Sequence, residues 1–224
     1  MIGDSPAART EFILAHTKML PVPHAPEISL HVADDSTALW LKTEEELGKM
    51  GLPPPFWAFA WAGGQALARY ILDHPDIVRG KSVLDFASGS GLVAIAAALA
   101  GARQVQACDI DPFAAAAIAI NAKANGVIVT PVLNDLTGTT GNWDVVLAGD
   151  VSYERDMAQT VTEWLEQLNA GGATVLMGDP GRSYLARDRL ESIATYSVPV
   201  SRDLEDSEVK KSSVWKFRAR GTIR

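Results

Sequence analysis

Apolar and polar positions along the chain change rhythm twice. Residues 7–19 space Ala, Phe, Ile, Leu and Met at helical intervals, and the run is expected to stop at Pro21. Residues 28–32 alternate apolar and polar side chains, the period of a short strand. Residues 37–50 again suit a helix, with Glu44, Glu45 and Glu46 on its outer face, before Pro53, Pro54 and Pro55 break the chain. Residues 1–55 are therefore expected to form an N-terminal extension packed on a main domain spanning 56–224.

From Gly64 onward, short apolar runs alternate with helical patterns. Helices are predicted over 65–74, 92–100, 112–125 and 156–168, with Pro112 at the first turn of the third. Between them lie expected strands at 82–86, 105–108, 128–133, 143–148 and 173–177. After Arg182 the pattern suggests one further helix and then strands at 195–200 and 212–217. Apolar strands alternating with helices make a parallel sheet covered on both faces. A length of 224 residues allows one such α/β domain with a full core.

Composition narrows the partners. The net charge of −7 argues against nucleic acid as the main ligand, while an acidic protein accepts a basic, lysine-bearing one. Cys108 is the single cysteine, which fits a reducing compartment, and cytoplasm is the expected location. The four histidines lack metal-ligand spacing, so no metal is expected. No apolar run reaches the roughly 18 residues of a membrane span, so no membrane partner is expected. The chain is expected to work as a monomer.

The chemistry concentrates where strands end. Asp85 closes a strand and enters Ala87-Ser88-Gly89-Ser90-Gly91, a turn whose glycines let a ligand approach the backbone. The spacing is not Gly-x-Gly-x-x-Gly, and an acid before the turn would repel a pyrophosphate but suit an ammonium. This disfavours a nicotinamide oxidoreductase; a turn with no ligand is the bland alternative. Asp109 ends the next strand, where an acid can hold two ribose hydroxyls, and Asp111 caps the following helix or joins it. Asp135 leaves the third strand, either at an adenine edge or in a simple turn. Asp150 and Tyr153 follow the fourth strand and would face a transferred methyl group, with Asp150 orienting an amine and Tyr153 offering its hydroxyl or ring. Alternatively, Asp150 caps a helix and Tyr153 packs on the sheet edge. Among the aromatics at 56–61, Trp57 is the candidate pocket wall. Arg182 either shapes the cleft or is solvated in a Pro-Gly turn.

The Asp85–Gly91 turn, Asp109 and Asp150-x-x-Tyr153 together resemble the seven-stranded protein-lysine methyltransferases with an acid-x-x-aromatic motif. More narrowly, Phe56-Trp57-Ala58, Trp61-x-Gly63-Gly64-Gln65-Ala66-Leu67, Asp109-Ile110-Asp111-Pro112, Gly149-Asp150, Gly178-Asp179-Pro180-Gly181-Arg182 and Ser213-Val214-Trp215-x-Phe217 resemble the family that methylates the electron transfer flavoprotein β-subunit. The likeness runs over residues 50–218. It implies a Rossmann-like class I sheet, mostly parallel with an antiparallel strand near the C-terminus. It also implies S-adenosyl-L-methionine as cofactor, held by Trp57, Asp85, Ala87, Gly89, Gly91, Asp109 and Asp135, with Asp150 and Tyr153 catalytic. The implied substrate is a lysine of the flavoprotein, with a ribosomal protein or a small molecule as alternatives. Ala87 stands where many relatives carry glycine.

Overall fold

The computed structural model describes residues 5–33, 48–49, 54–200 and 208–219. Its centre is a seven-stranded sheet. The strands, in chain order, are β3 (Ser82–Phe86), β4 (Gln104–Asp109), β5 (Thr130–Leu133), β6 (Val145–Gly149), β7 (Thr174–Asp179), β8 (Leu190–Pro199) and β9 (Val209–Phe217). Their spatial order is β5-β4-β3-β6-β7-β9-β8. The first five run parallel, and β9 runs antiparallel to both β7 and β8. This is the mixed, mostly parallel sheet expected from the sequence.

Burial explains the parallel core. Val83, Leu84, Val145, Val146, Leu147 and Ala148 are all fully buried, so β3 and β6 have apolar side chains on both faces. Helix α2 (Ala62–Asp73), α3 (Leu92–Leu99) and α4 (Pro112–Ala124) cover one face, where Leu67, Val93 and Ile118 pack with Val83, Val105 and Leu147. Helix α5 (Arg155–Ala170) covers the other, setting Val161, Trp164 and Leu165 on Leu84, Val146 and Met177. The chain leaves β3 toward β4 and β5 on one side, then returns to β6 on the other. That reversal opens a crevice at the carboxyl ends of β3 and β6.

The N-terminal segment differs from the expectation. Helix α1 covers Pro6–His16 only, and Lys18–Val22 is strand β1, paired antiparallel with β2 (Ala25–Val32). Thr17 leaves the helix in an extended conformation, and Pro21 sits in a two-stranded ribbon, where a missing N–H is tolerated. The hairpin is tied to α4 by Ser29 N to Asn125 Oδ1 at 3.0 Å and His31 N to Asn121 Oδ1 at 2.8 Å. Ile13 packs with Trp57 and Phe113. The helix expected at 37–50 falls almost wholly outside the described residues.

The helix expected after Arg182 is absent; residues 183–189 form turns and lead directly into β8. Strand β8 begins earlier than expected because Leu190 and Glu191 pair with Phe217 and Lys216 of β9. A partner distant in sequence here overrides local periodicity.

Candidate active site

The crevice is a cavity of about 570 Å³. Its walls come from the loops after β3, β4, β5, β6 and β7 and from the segment before α2. Every sequence-predicted site residue lines it except Gly91.

At one end lies the turn after β3. Ala87, Gly89 and Gly91 have φ of 52°, 53° and 86°, the left-handed region that glycine adopts freely and alanine does not. Asp85 is buried beneath this turn and accepts from Ser88 Oγ and, at 2.9 Å, from Ala94 N. It thus ties the turn to the first residues of α3. A Cβ on Gly91 would lie 3.3 Å from Ile118 Cα, so this glycine serves the packing of α3 on α4. Asp109 accepts from Gly89 N at 2.9 Å and from Asp111 N at 3.0 Å, joining the ends of β3 and β4. Asp111 caps α4 through Phe113 N at 2.8 Å. Asp135 is exposed at the rim and accepts from Thr137 N at 2.9 Å. Trp57 is buried and stacks on Phe113 at 6.0 Å.

Burial pushes the Asp85 carboxyl up to about 7, against the lowering effect of its bonds to Ser88 and Ala94. The sign of the linkage follows. A carboxyl raised in the folded state stabilises the fold when protonated, and that contribution is lost as pH rises from about 4 to about 7. Asp85→Asn, which keeps an acceptor oxygen and cannot ionise, should gain thermal stability relative to the parent as pH rises. Thermal melts at pH 5 and pH 8 check this: the gap between the two proteins must widen with pH, by a few kcal/mol at most. A constant gap would show that the Asp85 carboxyl is already ionised in the fold at pH 5, and so is not raised.

At the other end stands Asp150, with φ of 56° in a region that Asp enters more readily than most residues. It does not cap α5; Glu154 does, accepting from Asp156 N and Met157 N, both at 3.1 Å. Instead, Asp150 Oδ2 accepts from Gly64 N at 2.8 Å, in the first turn of α2. Oδ1 receives Arg182 Nη2 at 2.9 Å and Nε at 3.3 Å. Burial raises the Asp150 carboxyl to about 6, while Arg182 holds it down and Asp179 pushes it further up. Tyr153 is half-exposed at the mouth, its ring 5.6 Å from that of Phe56.

Of the two readings of Arg182, the cleft-forming one holds. Its guanidinium pairs with Asp150 and lies 5.8 Å from the Trp61 ring. Asp179 Oδ1 fixes the loop by accepting from Gly181 N at 2.6 Å and Arg182 N at 2.7 Å. Asp179 belongs to the Gly178–Arg182 motif, and Asp-Pro-Gly after a strand signals such a side-chain-bonded turn, but its bonds to the backbone of this loop appear only in the structure. Glycines complete the frame. A Cβ on Gly63 would lie 2.6 Å from Asp150 Oδ2, and one on Gly178 would lie 2.8 Å from Gly63 C.

The arrangement offers an acid-flanked, backbone-lined pocket at one end and a buried carboxylate at the other. Among the described residues, no group of three or more His, Cys, Asp or Glu could hold a metal ion. Nor is any helix there long and apolar enough to cross a membrane.

Comparison with known proteins agrees with this fold. Residues 65–178 match the family of ribosomal protein L11 methyltransferases (PrmA). The electron transfer flavoprotein beta subunit lysine methyltransferase of Rattus norvegicus is 40% identical over 199 residues, which is 86% of this chain and 77% of that protein. The Homo sapiens protein of the same name is 40% identical over 200 residues, covering 86% and 75%. The fold is similar to that of magnesium protoporphyrin IX methyltransferase from Synechocystis PCC 6803, solved with bound SAH, with a TM-score of 0.52 at 17% identity over 70% of this chain and 81% of that one. With a class I methyltransferase sheet and this degree of identity over most of its length, the chain belongs to the family of electron transfer flavoprotein β-subunit lysine methyltransferases.

Proposed function

We propose that the protein methylates lysine side chains of an electron transfer flavoprotein β-subunit, using S-adenosyl-L-methionine. The observation that carries this reading is one cavity with an acid-flanked turn at one end and the Asp150–Tyr153 pair at the other.

The residues present fit the cofactor. Asp109 offers a carboxylate at the end of β4 for the ribose hydroxyls, and Asp85 underlies a turn open to a methionine ammonium. Gly89 takes a left-handed φ of 53° in this turn, which glycine adopts without strain, and it carries no side chain on the cleft wall. Trp57 and the exposed Asp135 suit the adenosine side. When bound, the cofactor supplies a methyl carbon activated by an adjacent sulfonium. The chain's own contribution is to bind, orient and desolvate. Asp150 accepts an N–H of the lysine amine and aims its lone pair, while Phe56, Trp61 and Tyr153 surround the aliphatic stem and exclude water. The Tyr153 ring face also suits the methylated ammonium that results.

Purified protein, methyl-labelled S-adenosylmethionine and electron transfer flavoprotein, scored by mass spectrometry, test the proposal. Labelled lysine in the β-subunit is expected, and it should vanish with Asp150→Ala. Label on a ribosomal protein instead would move the substrate, and no protein label at all would point to a small molecule. The proposal extends to a monomer acting in the cytoplasm on a protein partner, with no role for nucleic acid or a membrane.

Cofactor binding has its own test. Asp109→Ala should weaken S-adenosylhomocysteine binding by at least about tenfold in calorimetry, since one charged hydrogen bond contributes roughly 1.5–3 kcal/mol. Unchanged affinity would remove Asp109 from the ribose site.

A further inference from the structure

We propose that Arg182 is a positioning residue that offsets the negative charge of Asp150, so that the incoming lysine amine is held in its uncharged, nucleophilic form. The inference rests on the lysine-methylation reading above.

The difficulty for any such enzyme is that the carboxylate which orients an amine also favours its protonated form. An opposite charge within hydrogen-bond distance raises the basicity of an amine and so ties up the lone pair that must react. Here the carboxylate is already partnered. Arg182 Nη2 and Nε both reach Asp150 Oδ1, and the two side chains are 20% and 9% exposed, so solvent screens the pair weakly. Asp150 keeps accepting capacity for an amine N–H, while the guanidinium offsets part of its negative field. Arginine suits this task because it stays protonated throughout the working range, whereas a lysine could itself lose its proton.

The guanidinium is held in place from several sides. Its backbone N–H is fixed by the buried Asp179, and its plane lies beside Trp61. The other charged and titratable groups around this end are Asp179 on the β7 loop, Tyr153 and Glu154 before α5, and Asp109 at the end of β4. Arg155 lies over Tyr184 and Arg187 donates to Gly181 O, so both are engaged elsewhere. Among the described residues, Arg182 is thus the cation bound directly to the Asp150 carboxylate. The substrate ammonium releases its proton to solvent at the open mouth beside Tyr153, and the neutral amine then takes its place against Asp150.

The pH profile of turnover on electron transfer flavoprotein, at saturating cofactor and protein, distinguishes this role from simple support of the fold. Arg182→Met should move the acid limb upward by about one pH unit, so that roughly tenfold is lost near neutral pH and largely recovered in alkali. Arg182→Lys should leave the limb near its original position, even with a lower plateau. To assign the limb to the substrate amine, the methylated lysine, located first by mass spectrometry, is replaced by cysteine and aminoethylated. That side chain carries a less basic amine, and the limb must fall with it in the unmodified enzyme as well as in the variant. A pH-independent loss in Arg182→Met, or a limb that ignores the basicity of the amine, overturns the proposal. Failure of the unmodified enzyme to label the flavoprotein would instead overturn the substrate reading.

Discussion

Asp150→Asn is expected to cut methyl transfer by about two orders of magnitude or more, with the fold and cofactor affinity preserved. Asparagine tolerates the φ of 56° that this position requires, so the backbone has no reason to move. Its side-chain oxygen can still accept from Gly64 N or from Arg182, but not from both with the original geometry. The amide nitrogen must then face a donor, and a buried guanidinium is left short of its partner. The substrate amine loses the acceptor that aims it. Mass-spectrometric initial rates, S-adenosylhomocysteine calorimetry and a thermal melt separate these effects. A rate within threefold of the parent would show that Asp150 only supports the structure.

Gly178→Ala should be strongly destabilising for a single added methyl group. The added Cβ would meet the carbonyl of Gly63 and Leu67 Cβ, both on α2, at less than contact distance. Backbone cannot yield as a flexible side chain does, so α2 must lift from β7. A loss of about 3 kcal/mol is expected, or roughly 6–12 °C in melting temperature for a domain of this size. Activity should fall further than stability, because lifting α2 withdraws Gly64 N from Asp150. Gly64→Ala supplies the control. Its Cβ would meet only side-chain atoms at ordinary distance, the nearest being Leu92 Cδ2 at 3.8 Å, and alanine favours a helix. Equal melting temperatures for the two variants would refute the close-packed glycine joint.

Both predictions depend on residues of very different legibility. Asp85, Asp109 and Asp150 could be read from the chain because each ends an apolar run, and in a parallel sheet such ends converge on one edge. The turn through Ala87, Gly89 and Gly91 was equally readable, since its glycines report a left-handed backbone conformation that is local to the turn. The helix start at Asp111-Pro112 is local too, and it lies where capping chemistry places it. Strands β3, β6 and β7 announced themselves by continuous apolar composition, which burial on both faces demands.

Other features were settled by tertiary contacts. Arg182 reaches Asp150 across 32 residues, and Gly64 reaches it across 86; no window of sequence holds either pair. The segment at 190–199 has helical periodicity in part but pairs with β9, and its partner decides its state. Lys18 and Met19 likewise leave the expected helix for β1 because Ala25–Val32 offers a ladder. Local spacing thus determined the helices, strands and turn chemistry whose causes lie within a few residues. The arginine-paired acid at the heart of the site, the glycine joint beneath it and the strands made by distant partners were decided only when the chain closed on itself, because hydrogen bonds and steric contact act across space and leave no period in the sequence.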